Sequence, residues 1–180
     1  MSTPEGVKGC QDYSDWVADR TTSGEFDAVI TSERQSTPLK GMSWDETEEK
    51  APEGHKDILN RWVDAKLDVV VIRDTPYPGG DNIQVPDCVA THEDDLEKCS
   101  GTPESWHWMD PLAKAAQGID AENLSIVYPE DWFCPEGKCK PVIGGVVTYF
   151  DTAHITATYA KTLAPQFDSR LRHTGLETFR

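Results

Sequence analysis

Asp151 and His154 close an apolar run that starts at Tyr149, and their Asp-x-x-His spacing makes them the residues of this 180-residue chain most suited to chemistry. A carboxylate three residues before an imidazole can hold the ring's Nδ1 proton within one turn of chain. Nε2 is then free to take a proton from a hydroxyl nucleophile. In that role His154 is a general base and then a general acid, while Asp151 orients it and stabilises the imidazolium. The structural alternative is that Asp151 merely turns the chain before a helix and His154 is a surface imidazole. The tetrapeptide alone does not choose between the two.

The other chemistry-bearing side chains lack partners in the sequence. Ser36, Ser43 and Ser100 are conceivable nucleophiles, but none sits in a Gly-rich elbow. His55, His92, His107 and His173 have no constellation around them and are expected to be solvated. Arg73-Asp74 could bind an anion or sugar, or form an ion pair that closes a loop. Trp106 and Trp108 could stack on a sugar, or pack with one ring inward and the other half exposed.

The elements that must position these residues alternate between helix and strand. Tyr13, Trp16 and Val17 share a helical face ahead of a buried-looking strand at Ala28-Val29-Ile30. Residues 32–54 are polar, contain Pro38, Gly41 and Pro52, and read as a long loop. Ile58, Leu59, Trp62 and Val63 recur at helical spacing before a strand over Leu67 to Ile72. Asp110-Pro111 reads as an N-cap with proline at the first helical position. A third strand follows near Leu124-Ser125-Ile126-Val127. Two short apolar runs around Gly144-Gly145 predict a hairpin or bent strand that delivers Asp151, and Thr156 can cap the last helix. The tail after Phe167 is polar and expected to be loose. Three parallel strands with intervening helices define an α/β, doubly wound, three-layer parallel sheet, whose active site belongs in the loops after the strands.

Composition narrows the function classes. A formal charge of −15 argues against nucleic-acid and anionic-membrane binding, since phosphates would be repelled and no Lys/Arg cluster offsets this. No apolar stretch suffices to span a bilayer, and Met1 to Gly6 resembles no signal peptide, so neither direct membrane insertion nor an export signal is expected of the chain as written. Cys88 with Cys99, and Cys134 with Cys139, are close enough to close small loops as disulfides, which implies an oxidising compartment. The rival reading is a metal site, but Cys134-x4-Cys139 lacks the tight zinc-knuckle spacing and His92 sits in a charged loop. Five cysteines leave Cys10 unpaired. No metal and no cofactor is indicated.

The run from Tyr149 to Pro165 resembles the last block of SGNH hydrolases, in the version fused to membrane acyltransferases that O-acetylate cell-envelope polysaccharides. Further features fall in the order expected of that domain: Cys10 and Trp16, Asp27 to Ser32, Val69 to Pro76, the two cysteine pairs, and Val142 to Val147. Such domains open with a strand ending in Gly-Asp-Ser, whose serine is the nucleophile, and this sequence has no Gly-Asp-Ser. The resemblance therefore implies an SGNH/flavodoxin-like fold that is N-terminally incomplete. It divides the chain into a disordered start (1–9), a partial SGNH-like domain (10–165) and a polar tail (166–180). Cys10 would find its natural partner in the missing upstream segment.

It also implies Asp151 and His154 as catalytic residues, with no nucleophile in the chain. The family's oxyanion hole uses the nucleophile's amide plus a glycine and an asparagine. At Ser32-Glu33-Arg34, where the asparagine would fall, there is none. The implied function is an extracytoplasmic esterase or O-acyltransferase domain acting on acyl esters of cell-envelope carbohydrate, with a membrane acyltransferase domain upstream. It is expected to be inactive alone. The alternatives are a noncatalytic carbohydrate-binding remnant or a nonfunctional gene fragment.

Overall fold

The computed structural model describes residues 4–34, 38–78, 83–106 and 109–180. Its centre is a parallel sheet of β1 (Ala28–Thr31), β2 (Asp68–Ile72) and β3 (Leu124–Val127), in the order β1-β2-β3. Ala28 is in register with Asp68, Val69 with Leu124 and Ile72 with Val127, so all three strands end at one rim. Val69, Val70 and Val71 are fully buried, as expected of a middle strand covered on both faces. One face packs on α2 (Trp44–Asp64) and α5 (Pro111–Gln117) through Leu59, Trp62, Leu112 and Ala115. The other face carries Val70 and Val127 against Leu176, with Phe167 and Leu171 beside them.

Several expectations are corrected. The segment 32–54 is not loop throughout: α2 starts at Trp44 because Ser43 and Glu46 form a capping box. Ser43 Oγ accepts from the Glu46 amide at 3.2 Å, and Glu46 Oε2 accepts from the Ser43 amide at 2.9 Å. Pro52 lies inside this helix and forfeits a backbone hydrogen bond, yet Thr47, Ala51 and Pro52 are all buried, so tertiary packing overrides the breaker. Residues 5–9 lie in α1 (Pro4–Thr21) rather than in a disordered start, and Lys8 pairs with Asp12 one turn on. On that helix Tyr13 and Trp16 are exposed while Ala18 is buried, so the face legible in the sequence is not the one that packs. The tail is not loose either. Residues 164–172 form α8 (Ala164–Arg172), Leu176 is buried, and the Thr178 amide donates to Asp68 at 2.7 Å.

The remaining helices α3 (Val85–Thr91), α4 (Pro103–Trp106), α6 (Glu130–Phe133) and α7 (Ala157–Thr162) are short. Disulfides join Cys88 to Cys99 and Cys134 to Cys139, so these sulfurs are not available as metal ligands. Cys10 is free and exposed on α1.

Candidate active site

The approach to Asp151 is built by a hairpin of β4 (Val142–Ile143) and β5 (Val146–Val147). Gly144 and Gly145 have φ of 59° and 78°, the left-handed pair that a tight two-residue turn requires. Beyond it the chain is nailed down. Thr148 is buried and its hydroxyl donates to the carbonyls of Lys140 and Pro141. Tyr149 is fully buried edge-on against Trp106, and its hydroxyl donates to the Pro76 carbonyl. An isolated bridge pairs Tyr149 with Ile155, and Thr156 caps α7 by accepting from the Tyr159 amide at 3.1 Å. Residues 151–154 are therefore a short loop clamped at both ends.

Inside the loop, Asp151 Oδ1 accepts from the amides of Ala153 (2.8 Å) and His154 (2.7 Å), while Oδ2 lies 2.7 Å from His154 Nδ1. Burial pushes the Asp151 carboxyl up, but these two amides and the imidazole outweigh it and hold it below the usual carboxylate range. An ionised carboxylate only accepts, so the Nδ1 atom of His154 carries the proton and Nε2 is left as the basic nitrogen. The ring stacks on Phe150, with centroids 5.5 Å apart, which limits its rotation.

His154 and Ala153 border a cavity of about 300 Å³ whose other walls are Ser32, Glu33 and Arg34, following β1, and Asp74 and Tyr77, following β2. The carboxyl ends of two parallel strands and the Asp-x-x-His loop thus converge, as the doubly wound topology demands. Glu33 braces this rim: Oε1 accepts from the Leu112 amide at 3.0 Å and Oε2 meets His55 Nε2 at 3.0 Å. His55, expected to be solvated, is therefore engaged. Asp110 caps α5 by accepting from Ala113 and also accepts from the Asp74 amide, both at 2.8 Å. Burial raises the Asp110 carboxyl more than those amides and Arg73 lower it. Arg73 is spent in an ion pair with Glu130.

Ser43 is a helix cap, and the Ser100 hydroxyl donates to the Leu96 carbonyl; neither borders the cavity. Trp106 is fully buried and cannot stack on a sugar. Ser36, His107 and Trp108 lie outside the described residues. The Glu33–His55 brace and the place of Tyr77 in the cavity wall had no sequence signal, because each depends on contacts between segments far apart in the chain.

The chain matches the family described as SGNH domain (fused to AT3 domains) over residues 2–169, and it belongs to that family. Comparison with curated proteins and with solved structures gave no match. Membership makes the chain an esterase-like domain associated with a membrane acyltransferase. The disulfides fit an oxidising, extracytoplasmic setting. Among the described residues no helix is long and apolar enough to cross a membrane.

Proposed function

We propose that this domain belongs to an extracytoplasmic O-acyltransferase or esterase acting on acyl esters of cell-envelope carbohydrate, with His154 as general base and acid and Asp151 as its orienting carboxylate. The observation that carries the reading is the 2.7 Å contact of Asp151 Oδ2 with His154 Nδ1, in a loop whose other carboxylate oxygen is held by two amides. A hydroxyl nucleophile gives its proton to Nε2 as it attacks the ester carbonyl. The tetrahedral oxyanion then collapses, His154 returns the proton to the departing alkoxide, and the acyl group is left as an ester on the nucleophile. In the second half, water or a sugar hydroxyl gives its proton to the same nitrogen as it attacks the acyl ester; the bond to the nucleophile's oxygen breaks, and that oxygen takes the proton back from His154.

The nucleophile in this reading is the serine of a Gly-Asp-Ser strand, which this sequence lacks. Among the described residues β1 pairs with β2 alone, and Ile30 on β1 is 45% exposed, which supports a further strand beside it. The test is hydrolysis of a chromogenic acetyl ester by the 180-residue chain, by its His154→Ala and Ser32→Ala variants, and by the chain extended with a Gly-Asp-Ser strand. Turnover only in the extended form, abolished by His154→Ala, is expected. Turnover of the unextended chain that Ser32→Ala removes would instead make Ser32 the nucleophile.

A further inference from the structure

The core cluster beneath the Asp-x-x-His loop contains three buried tyrosines, Tyr77, Tyr149 and Tyr159. Two of them have their hydroxyls satisfied by backbone: Tyr149 donates to the Pro76 carbonyl and Tyr159 to that of Trp132. Tyr77 is the exception. It is 2% exposed, and its buried hydroxyl has no hydrogen-bond partner among the described residues. A buried polar group left unpaired costs stability, since it has given up water without gaining a partner, so an orphan in a native fold calls for a reason.

Tyr77 stands in the wall of the cavity that His154 borders. That wall is short of fixed donors. Glu33 already holds the Leu112 amide and His55, Asp74 is a second carboxylate, and Ser32 and Arg34 are exposed. Tyr77, by contrast, is set in place before any ligand arrives. Its amide donates to the Trp106 carbonyl at 2.9 Å, its side chain belongs to the cluster of Trp106, Val85 and Phe133, and Pro76 and Pro78 restrict the backbone on either side. A donor oriented in this way in a low-dielectric wall stabilises negative charge without reorganising when the charge appears.

We propose that the Tyr77 hydroxyl donates to the carbonyl oxygen of an acyl ester bound in this cavity, and to the oxyanion formed from it, in place of the asparagine that is absent at Ser32-Glu33-Arg34. The phenol keeps its proton throughout; the hydrogen bond strengthens as charge builds on the ester oxygen and relaxes when the carbonyl re-forms. The unpaired hydroxyl of the free chain is then a cost to stability that binding of the carbonyl offsets. Its part in catalysis rests on the proposed chemistry of His154, whereas its binding of a carbonyl does not.

The test is NMR titration with methyl acetate of the 180-residue chain carrying 13Cζ-labelled tyrosine, beside its Tyr77→Phe variant, with urea unfolding of both. A saturable shift of the Tyr77 signal and of the Ala153 and His154 amides is expected, with affinity about fivefold lower in Tyr77→Phe, the scale of one neutral hydrogen bond. The unfolding midpoint of Tyr77→Phe should equal or exceed that of wild type, because the hydroxyl removed has no partner. In a domain completed with its nucleophile, Tyr77→Phe should lower kcat about 10²-fold while KM moves by no more than the affinity does. No shift at Tyr77, equal affinity in Tyr77→Phe, a lowered unfolding midpoint or an unchanged kcat would each overturn the proposal: the first two mean a hydroxyl sealed behind the wall, the third a structural one, and the fourth a bystander to the chemistry. Ester turnover that His154→Ala leaves intact would instead remove the role of His154 and leave carbonyl binding by Tyr77 standing, so the two readings fail separately.

Discussion

Replacing Asp151 with alanine and with asparagine separates the two jobs its carboxylate does. Alanine removes all three contacts: the Ala153 and His154 amides on Oδ1, and the imidazole on Oδ2. Both amides sit near the surface and can turn to water, so each lost bond to the charged oxygen costs about 1 kcal/mol, and Asp151→Ala should lower unfolding free energy by about 2 kcal/mol. Asparagine keeps an acceptor for the amides and should cost less than half of that. Its NH2 group, however, faces Nδ1 and cannot accept from it. The imidazole then moves its proton to Nε2, which destroys the base while leaving the loop intact. The assays are urea unfolding and 15N chemical shifts of the His154 ring: wild type with the Nδ1–H tautomer, Asp151→Asn with Nε2–H. In a domain completed with its nucleophile, Asp151→Asn should reduce turnover by about 10⁴, the scale of a triad with the wrong tautomer. If wild-type His154 already carries its proton on Nε2, or if Asp151→Asn leaves the ring unchanged, the carboxylate does not orient the base and the argument fails.

A Cβ at Gly101 would lie 2.1 Å from the indole Nε1 of fully buried Trp106, so Gly101→Ala should destabilise by about 1–3 kcal/mol in urea melts. Removing Cys134–Cys139 by a double serine substitution should cost about 2 kcal/mol, as expected for so short a loop, and should abolish that part of the wild type's sensitivity to dithiothreitol. Asp110 and Asp151 pull the pH dependence in opposite directions. The carboxyl of Asp110 is raised, so its contribution to stability falls as pH climbs through the region just above the usual aspartate value; that of Asp151 is depressed, so its contribution is full above that value and is lost as pH drops below it. Stability measured from pH 2 to 7 should accordingly lose a descending component in Asp110→Asn and an ascending one in Asp151→Asn. Curves parallel to wild type would refute both assignments.

Local signals in the sequence were strong where one segment carries its own physics. The apolar run of β2 is a buried strand, whereas Ala28-Val29-Ile30 forms a strand that is not buried, with Ile30 exposed; Asp110-Pro111 is a cap followed by a first-turn proline, and Gly144-Gly145 is a hairpin turn, because each of these last two is decided by backbone sterics or by a bond within four residues. The Ser43–Glu46 capping box was equally local, but Pro38, Gly41 and Pro52 masked it, and only burial of Thr47 and Ala51 keeps the helix running past the proline. Amphipathicity misled on α1, where Tyr13 and Trp16 are exposed, since a helical stripe records that a face is apolar and not what covers it.

By itself the sequence determined that Asp151 and His154 lie within one turn of each other, that the chain is α/β, and that two cysteine pairs could close small loops. Only the tertiary structure decided what faces His154. Ser32 to Arg34, Asp74 and Tyr77 reach it from the ends of two parallel strands, and Glu33 is fixed there by Leu112 and His55. Spacing along the chain fixes contacts within a turn; contacts across a parallel sheet depend on register and crossover, which are set by burying Val69, Val70 and Val71 on both faces and leave no local mark on the residues they bring together.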